Sequence, residues 1–142
     1  ASDMWIVSIL MMIGVILFIQ FQNKTKINLN HPNIEYLYNI VGEQSCQQNL
    51  KTIAGAKQAE SKYFQTSAKV ISESDNKFDR NAIKVEIDGL LVGYISKQDA
   101  EKLAGRKVNK VVPCLINGGW LDAERKGSYG VKLAIQNLND LL

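Results

Sequence analysis

The feature that most constrains the fold of this chain is a hairpin signal near its middle. Residues 82–87 (A-I-K-V-E-I) alternate, so that their three branched apolar side chains share one face of a strand. Asp88-Gly89 follows, and glycine tolerates the positive φ that a tight turn requires. Residues 90–95 (L-L-V-G-Y-I) then return, and the whole stretch predicts an antiparallel β-hairpin.

The remaining patterns predict further strands and two short helices. Runs with aromatic and β-branched residues, typical of strands, occupy residues 34–41, 63–71, 108–116, 120–124 and 129–135. Apolar residues at helical spacing predict a helix over residues 47–54, and Ser96 with Asp99 three positions later predicts a second, capped helix. Pro113 predicts an edge position or a bulge, because proline cannot donate to a ladder. About six short strands and two short helices predict a small β-barrel-like α+β domain in which closure of the sheet hides its edges.

A long apolar segment precedes this domain. It begins at Met4, ends at Phe21 and carries no charge. At 1.5 Å rise per residue, its roughly eighteen residues span about 27 Å, close to the thickness of about 30 Å of a bilayer core. It lacks the basic start and the small-residue cleavage site of a signal peptide. We therefore expect residues 1–21 to be a single transmembrane anchor, rather than a cleaved signal peptide, a buried core helix or the core of a helical assembly.

The residues after the apolar segment predict the domain organisation and the orientation. Residues 22–33 are polar and are expected to be a short tether, so that the folded domain occupies residues 34–142. Lys24 and Lys26 follow the span, whereas Asp3 precedes it. By the positive-inside rule, we expect a single-pass membrane protein whose C-terminal domain faces the cytoplasm.

The sequence contains no pattern typical of a catalytic or metal-binding site. His31 is the only histidine, and it lies in the predicted tether without a second ligand beside it. Cys46 and Cys114 lack CxxC spacing and a neighbouring base, so we expect buried thiols, or a disulfide if the domain were exported. The net charge of +3 permits contact with nucleic acid or anionic lipid without demanding it. We expect a protein that is not an enzyme and that needs no cofactor and no metal ion.

The centre of the chain resembles a HIRAN domain. The motif reads F-D-R-N-A-I-K-V over residues 78–85, with E-S-D-N at residues 73–76 before it and V-G-Y-I at residues 92–95 after it. V-G-E at residues 41–43 matches the segment with which the family pattern opens, and the resemblance covers about residues 36–135. It implies an OB-like β-barrel, here preceded by the predicted transmembrane helix.

The resemblance also implies a ligand. HIRAN domains occur in chromatin-remodelling and replication-fork helicases, where one type captures the 3′-hydroxyl end of single-stranded DNA. Carried over, Phe78 would be the ring that stacks on a base, and Asp79 the carboxylate that accepts a hydrogen bond from the terminal hydroxyl and repels a phosphate. Lys77, Arg80 and Gln44 complete the DNA-binding residues that we expect. We therefore expect a membrane-anchored protein that binds single-stranded DNA at its 3′ end.

Departures from the family pattern leave an alternative open. After V-G-E, the DNA-binding members carry a basic residue and aromatics, but this chain has Gln44-Ser45-Cys46, and Phe78 replaces a more frequent tyrosine. The cations available to compensate are Lys77, Arg80, Arg106, Lys107, Lys110, Arg125 and Lys126. The domain would otherwise be a membrane-anchored interaction module that keeps the fold and binds another protein or a second copy of itself.

The same loop residues also have a purely structural interpretation. Short polar side chains hydrogen-bond their own backbone in turns, so Asp75, Asn76, Asp79 and Asn81 would then only build the turn into the following strand. In that case Phe78 would plug the barrel.

Overall fold

A computed structural model describes residues 33–104 and 106–142. The strands are β1 (Tyr38–Asn39), β2 (Lys62–Ser72), β3 (Ile83–Ile87), β4 (Leu90–Tyr94), β5 (Asn109–Gly118) and β6 (Tyr129–Leu133). All neighbouring strands are antiparallel, and they form one six-stranded sheet in the order β1-β6-β5-β2-β3-β4. The sheet curls into a half-barrel, which is consistent with the predicted OB-like fold.

Short helices complete the domain. They are α1 (Gln47–Ala54), α2 (Lys97–Lys102) and two 3-10 helices at Glu43–Cys46 and Leu138–Leu141. Ser96 caps α2, because its Oγ accepts a hydrogen bond from the Asp99 backbone N–H at 3.3 Å. Both helices predicted from the sequence, with the cap of the second, are therefore confirmed.

The hairpin predicted from the Asp-Gly pair is also confirmed. Asp88 and Gly89 have φ angles of 53° and 77°, and Ile87 pairs with Leu90 across the turn. Positive φ at both central residues is the geometry of a type I′ turn, whose twist matches that of the two strands it joins. Local chemistry alone therefore defines the β3–β4 hairpin.

The hydrophobic core lies inside the curl of the sheet. Along β3, Ile83, Val85 and Ile87 are buried and the two residues between them are half-buried, as the alternation predicts. α1 contributes Leu50, which is 0 % exposed, to a cluster that includes buried side chains from β2, β3, β4, β5 and β6. Burying one such side chain contributes about 1.5–3 kcal/mol, so the face of α1 that carries Leu50 fastens the helix to the sheet.

The two edge strands of the sheet are joined at one point, which we call the seam. Val41, just after β1, exchanges two backbone hydrogen bonds of 2.8 Å with Tyr94 at the end of β4. Gly93 permits this approach, because a Cβ at that position would lie 2.5 Å from the Val41 carbonyl oxygen. The seam places the chain that follows β1 beside the end of the hairpin.

Two strand predictions are wrong, because the first strand is shorter than predicted and residues 120–124 form no strand. Of residues 34–41, only Tyr38–Asn39 pair with β6, because the chain then crosses to β4 at the seam. Residues 120–124 form isolated bridges and a turn in place of a strand. Asp122 Oδ1 accepts hydrogen bonds from the backbone N–H groups of Glu124 and Arg125, and this local turn competes with an extended conformation.

Pro113 was predicted to mark an edge strand or a bulge. The edge position is wrong, since β5 lies inside the sheet between β2 and β6. The ladder between β5 and β6 begins only at Cys114, paired with Leu133. The Pro113 carbonyl accepts a hydrogen bond from the Ala134 N–H at 2.9 Å. The backbone carbonyl of Pro113 therefore points toward Ala134, the first residue after β6. A missing N–H is tolerated there because no ladder partner requires it.

The predicted anchor and nearly all of the predicted tether, including His31, lie outside the described residues. Within residues 33–104 and 106–142, no helix is long and apolar enough to cross a membrane. The single-pass anchor stays a prediction.

Candidate nucleic-acid interface

Residues 73–82 join β2 to β3, and this loop carries most of the predicted site. Asn76 organises it, because its Oδ1 accepts hydrogen bonds from the backbone N–H groups of Phe78 at 2.9 Å and Asp79 at 3.0 Å. The Asn76 Nδ2 donates to Glu73 Oε1 at 2.6 Å. One side chain therefore orders the loop in the way that asparagine commonly orders turns.

Further hydrogen bonds close the base of the loop. The Glu73 N–H donates to the Ala82 carbonyl at 2.8 Å, and the Ala82 N–H donates to the Asp79 carbonyl at 3.1 Å. Asp79 Oδ1 accepts from the Asn81 N–H at 2.9 Å. Within the described part of the chain, the side chains of Asp75 and Asn81 make no hydrogen bond, so the turn-building role predicted for these two side chains is not observed.

Phe78 is 99 % exposed at the tip of this loop. The alternative in which it plugs the barrel is therefore wrong. A large aromatic ring is normally buried, and here the hydrogen bond of its own backbone N–H to Asn76 fixes the segment that holds it in water. Both faces of the ring are available to a flat partner such as a base.

Asp79 stands next to this ring and is half-buried. Its Oδ1 is used within the loop, whereas its Oδ2 makes no hydrogen bond or ion pair with any residue that the structure describes. A carboxylate oxygen in this state accepts a hydrogen bond from an incoming hydroxyl and repels a phosphate. Asp79 therefore has a structural role in the loop and keeps one carboxylate oxygen unengaged within the described residues.

Lys77 and Arg80 flank this pair and are exposed, and neither forms an ion pair with another described residue. Four of the predicted site residues, 77–80, therefore present a ring, a carboxylate and two cations on one ordered loop. Gln44 lies apart from them, exposed on the 3-10 helix Glu43–Cys46.

Tyr94 connects these two parts, and sequence reasoning did not select it as a site residue. Its hydroxyl donates to Glu73 Oε1 at 3.3 Å, at the start of the loop. Its ring lies against Gly42, where a Cβ would be 3.7 Å from Tyr94 Cδ2. Burial, followed by the nearby Glu73 carboxylate, raises the pKa of Tyr94, so the hydroxyl stays a donor at neutral pH. The V-G-Y motif was the available signal for this residue.

The surface of β3 beside the loop is acidic. Lys84 Nζ lies 3.0 Å from Glu86 Oε1 and 3.8 Å from Glu73 Oε2. The hydrogen bond to Glu86, with the charges of Glu86, Glu73 and Asp75, raises the pKa of Lys84. Lys69 on β2 pairs across the strands with Glu86, so three carboxylates lie beside two cations, and this side of the loop carries a small excess of negative charge.

The opposite side of the loop opens on a cavity that we call the α2 pocket. It has a volume of about 470 Å³ and lies between the loop, the C-terminal end of α2 and the start of β5. Its lining contains the cations Arg80, Arg106 and Lys107 and no carboxylate. Buried apolar side chains, among them Ile83 and Leu103, form its floor.

Cys46 and Cys114 are buried and free, as predicted for buried thiols. Burial raises the pKa of Cys114 to about 12, and burial, assisted by Glu43, also raises the pKa of Cys46. Both thiols are therefore protonated at neutral pH and are poor nucleophiles. Across residues 33–104 and 106–142, no group of three or more His, Cys, Asp or Glu side chains is arranged to hold a metal ion.

Compared with protein-family models, with curated proteins and with solved structures, the chain gives no match. The likeness to HIRAN domains stays a prediction that depends on the motif residues.

Proposed function

We propose that this chain is a membrane-anchored protein that binds the 3′ end of single-stranded DNA through a HIRAN-like domain. The observation that carries the proposal is the ordered loop of residues 77–80. This loop keeps the Phe78 ring in solvent directly beside a half-buried Asp79 carboxylate that has one unengaged oxygen.

The chemistry of the loop fits a strand end in two respects. Stacking of the terminal base on Phe78 contributes about 1–3 kcal/mol and does not depend on the sequence. Asp79 Oδ2 accepts a hydrogen bond from the 3′-hydroxyl, while a 3′-phosphate in that place meets a like charge. Because Asn76 orders the loop before DNA arrives, the entropy cost of binding is small.

The membrane part of the proposal depends on the sequence between Met4 and Phe21, which lies outside the described residues. Its length, its lack of charge and the lysines that follow it support a single-pass anchor with the domain on the cytoplasmic side. Such an anchor would keep captured DNA ends close to the membrane.

A fluorescence-anisotropy titration tests the proposal. The 142-residue chain, kept in a non-ionic detergent, is titrated against labelled oligonucleotides that carry either a free or a phosphorylated 3′ end. We expect tighter binding of the free end. Phe78→Ala should weaken binding by about 5- to 150-fold, the range that corresponds to one stacking contact. Asp79→Asn should remove the preference for the free end.

Tyr63→Ala is the matched control, because Tyr63 is an aromatic side chain that is 70 % exposed on β2, far along the strand from the loop. It should leave both affinities unchanged. Equal affinity for the two kinds of 3′ end, or an effect of Tyr63→Ala as large as that of Phe78→Ala, would contradict the proposal.

The second candidate function is an interaction module that binds another protein or a second copy of this chain. It is favoured by Gln44, which supplies neither a ring nor a cation on its turn, and by the exposure of Tyr63. Sedimentation equilibrium in density-matched detergent tests self-association. A chain that stays monomeric and binds 3′ ends excludes self-assembly as the main role.

A further inference from the structure

The two sides of the 73–82 loop differ in charge, and this difference bears on the path of a bound strand. On the β3 side, Lys84 lies between Glu73 and Glu86, at 3.8 Å and 3.0 Å. On the other side, the α2 pocket is lined by Arg80, Arg106 and Lys107 without any acidic residue. A polyanion that starts at the loop tip is repelled by the first surface and attracted by the second.

The wall of the α2 pocket is held firmly against the end of β2. The Ser72 N–H donates to the Val108 carbonyl at 2.9 Å, and Ser72 Oγ accepts from the Val108 N–H at 2.9 Å. The Arg106 N–H donates to the Leu103 carbonyl at 3.1 Å. The backbone that carries Arg106 and Lys107 therefore has a defined position relative to the loop.

The cations of the pocket are not used within the domain. Arg80, Arg106 and Lys107 form no ion pair with any residue of the described ranges. Arg80 belongs both to the loop of the proposed end site and to the lining of the pocket, so the two features are continuous. The pocket floor is apolar, which suits the faces of sugars or bases between two phosphates.

We propose that the α2 pocket is the phosphate-binding track for the nucleotides on the 5′ side of the captured 3′ end. In this arrangement the strand leaves the loop tip past Arg80, and its next phosphates contact Arg106 and Lys107. The inference rests on the proposed function, because the terminal base is assigned to Phe78 and the terminal hydroxyl to Asp79. It assigns the direction in which the bound strand runs over the domain and a binding site that holds several nucleotides.

The double variant Arg106→Gln/Lys107→Gln tests this track. Its matched control is Arg125→Gln/Lys126→Gln, which removes the same pair of residue types from an exposed loop between β5 and β6. The 142-residue chain in non-ionic detergent is titrated with a 3′-hydroxyl decanucleotide and a 3′-hydroxyl dinucleotide over a range of salt concentrations. Circular dichroism melting curves establish that both variants are folded.

We expect the Arg106/Lys107 variant to bind the decanucleotide about tenfold less tightly, with a slope of log K against log salt that is smaller by about 1.4 for two lost phosphate contacts. Its affinity for the dinucleotide should be unchanged. The control variant should keep the slope and the affinity of the parent chain.

A second measurement reports the path directly. A 3′-hydroxyl oligonucleotide with one 4-thiothymidine near, but not at, its 3′ end is irradiated on the protein, and the cross-linked peptide is identified by mass spectrometry. We expect the cross-link to form around residues 106–109. Attachment around residues 43–46, or equal salt slopes for the two double variants, overturns it.

Failure of this inference is distinguishable from failure of the proposed function. If Phe78→Ala and Asp79→Asn behave as proposed while Arg106→Gln/Lys107→Gln resembles its control, only the track is refuted. If the parent chain binds no oligonucleotide, or binds both kinds of 3′ end equally, the end site and the track that depends on it are both refuted.

Discussion

Replacing Asn76 with alanine removes the side chain that orders the 73–82 loop, and the size of the effect follows from its hydrogen bonds. Asn76 accepts from the N–H groups of Phe78 and Asp79 at 2.9 Å and 3.0 Å, and donates to Glu73 at 2.6 Å. A hydrogen bond contributes about 0.5–1.5 kcal/mol net, and water replaces part of it in an exposed loop, so we expect about 1–2 kcal/mol for opening the loop.

Amide hydrogen exchange measured by NMR reports the free energy of loop opening at Phe78 and Asp79. Among the described residues, the N–H groups of Phe78 and Asp79 have Asn76 Oδ1 as their only hydrogen-bond acceptor. Because 1.4 kcal/mol corresponds to a factor of ten, exchange at these amides should become about 5- to 30-fold faster in Asn76→Ala. Amides of the buried strand β3 should change much less.

Asn81→Ala is the matched control in the same loop. The Asn81 side chain is exposed and makes no hydrogen bond in the described part of the chain, so the variant should leave the exchange of Phe78 and Asp79 unchanged. Unaltered protection in Asn76→Ala, or equal acceleration in both variants, would refute the claim that Asn76 preorganises the loop.

Three further predictions concern the domain itself. Leu50→Ala should lower the free energy of unfolding by about 2–5 kcal/mol in a denaturant titration, because it leaves a cavity where the side chain is 0 % exposed. The Tyr38 hydroxyl donates to Asp99 at 2.7 Å and lowers the pKa of Asp99 from its ordinary 3.8. The resulting stability is present above pH 3.8 and is lost as the pH falls through the lower folded pKa, so Tyr38→Phe should lose less stability on acidification in unfolding curves recorded at several pH values. Cys114, with a pKa raised to about 12, should react with iodoacetamide at pH 8 only after denaturant is added, as judged by mass spectrometry; rapid labelling of the native protein would contradict its burial.

The sequence predicts those elements whose cause is local. The β3–β4 hairpin follows from alternation and from the Asp88-Gly89 turn, and α1 follows from apolar spacing closed by a glycine. The cap of α2 follows from Ser96 and Asp99. In each case residues close in the chain determine the geometry, so no knowledge of distant partners is needed.

Features that depend on distant partners were predicted less well. β1 is short because its chain leaves β6 for the seam with Tyr94, and no pattern within residues 34–41 signals that crossing. Pro113 is accommodated inside the sheet because β6 has ended beside it, which is a property of another strand.

The candidate site divides in the same way. Residues 77–80 are adjacent in the chain, so a motif suffices to group them, whereas the full exposure of Phe78 depends on how Asn76 folds the loop. The α2 pocket combines Arg80 with Arg106 and Lys107, which only the tertiary fold brings together. Scattered cations in a sequence carry no signal of such a convergence.

The most direct test of 3′-end binding by the loop of residues 77–80 is a residue-resolved NMR titration of the isotopically labelled chain in detergent micelles. Two oligonucleotides are compared that differ only in a free or phosphorylated 3′ end. We expect saturable shifts of the Phe78 and Asp79 amides with the free end, and much smaller shifts at equal concentration with the phosphorylated end. Shifts that avoid residues 77–80, or that are the same for both oligonucleotides, would contradict it.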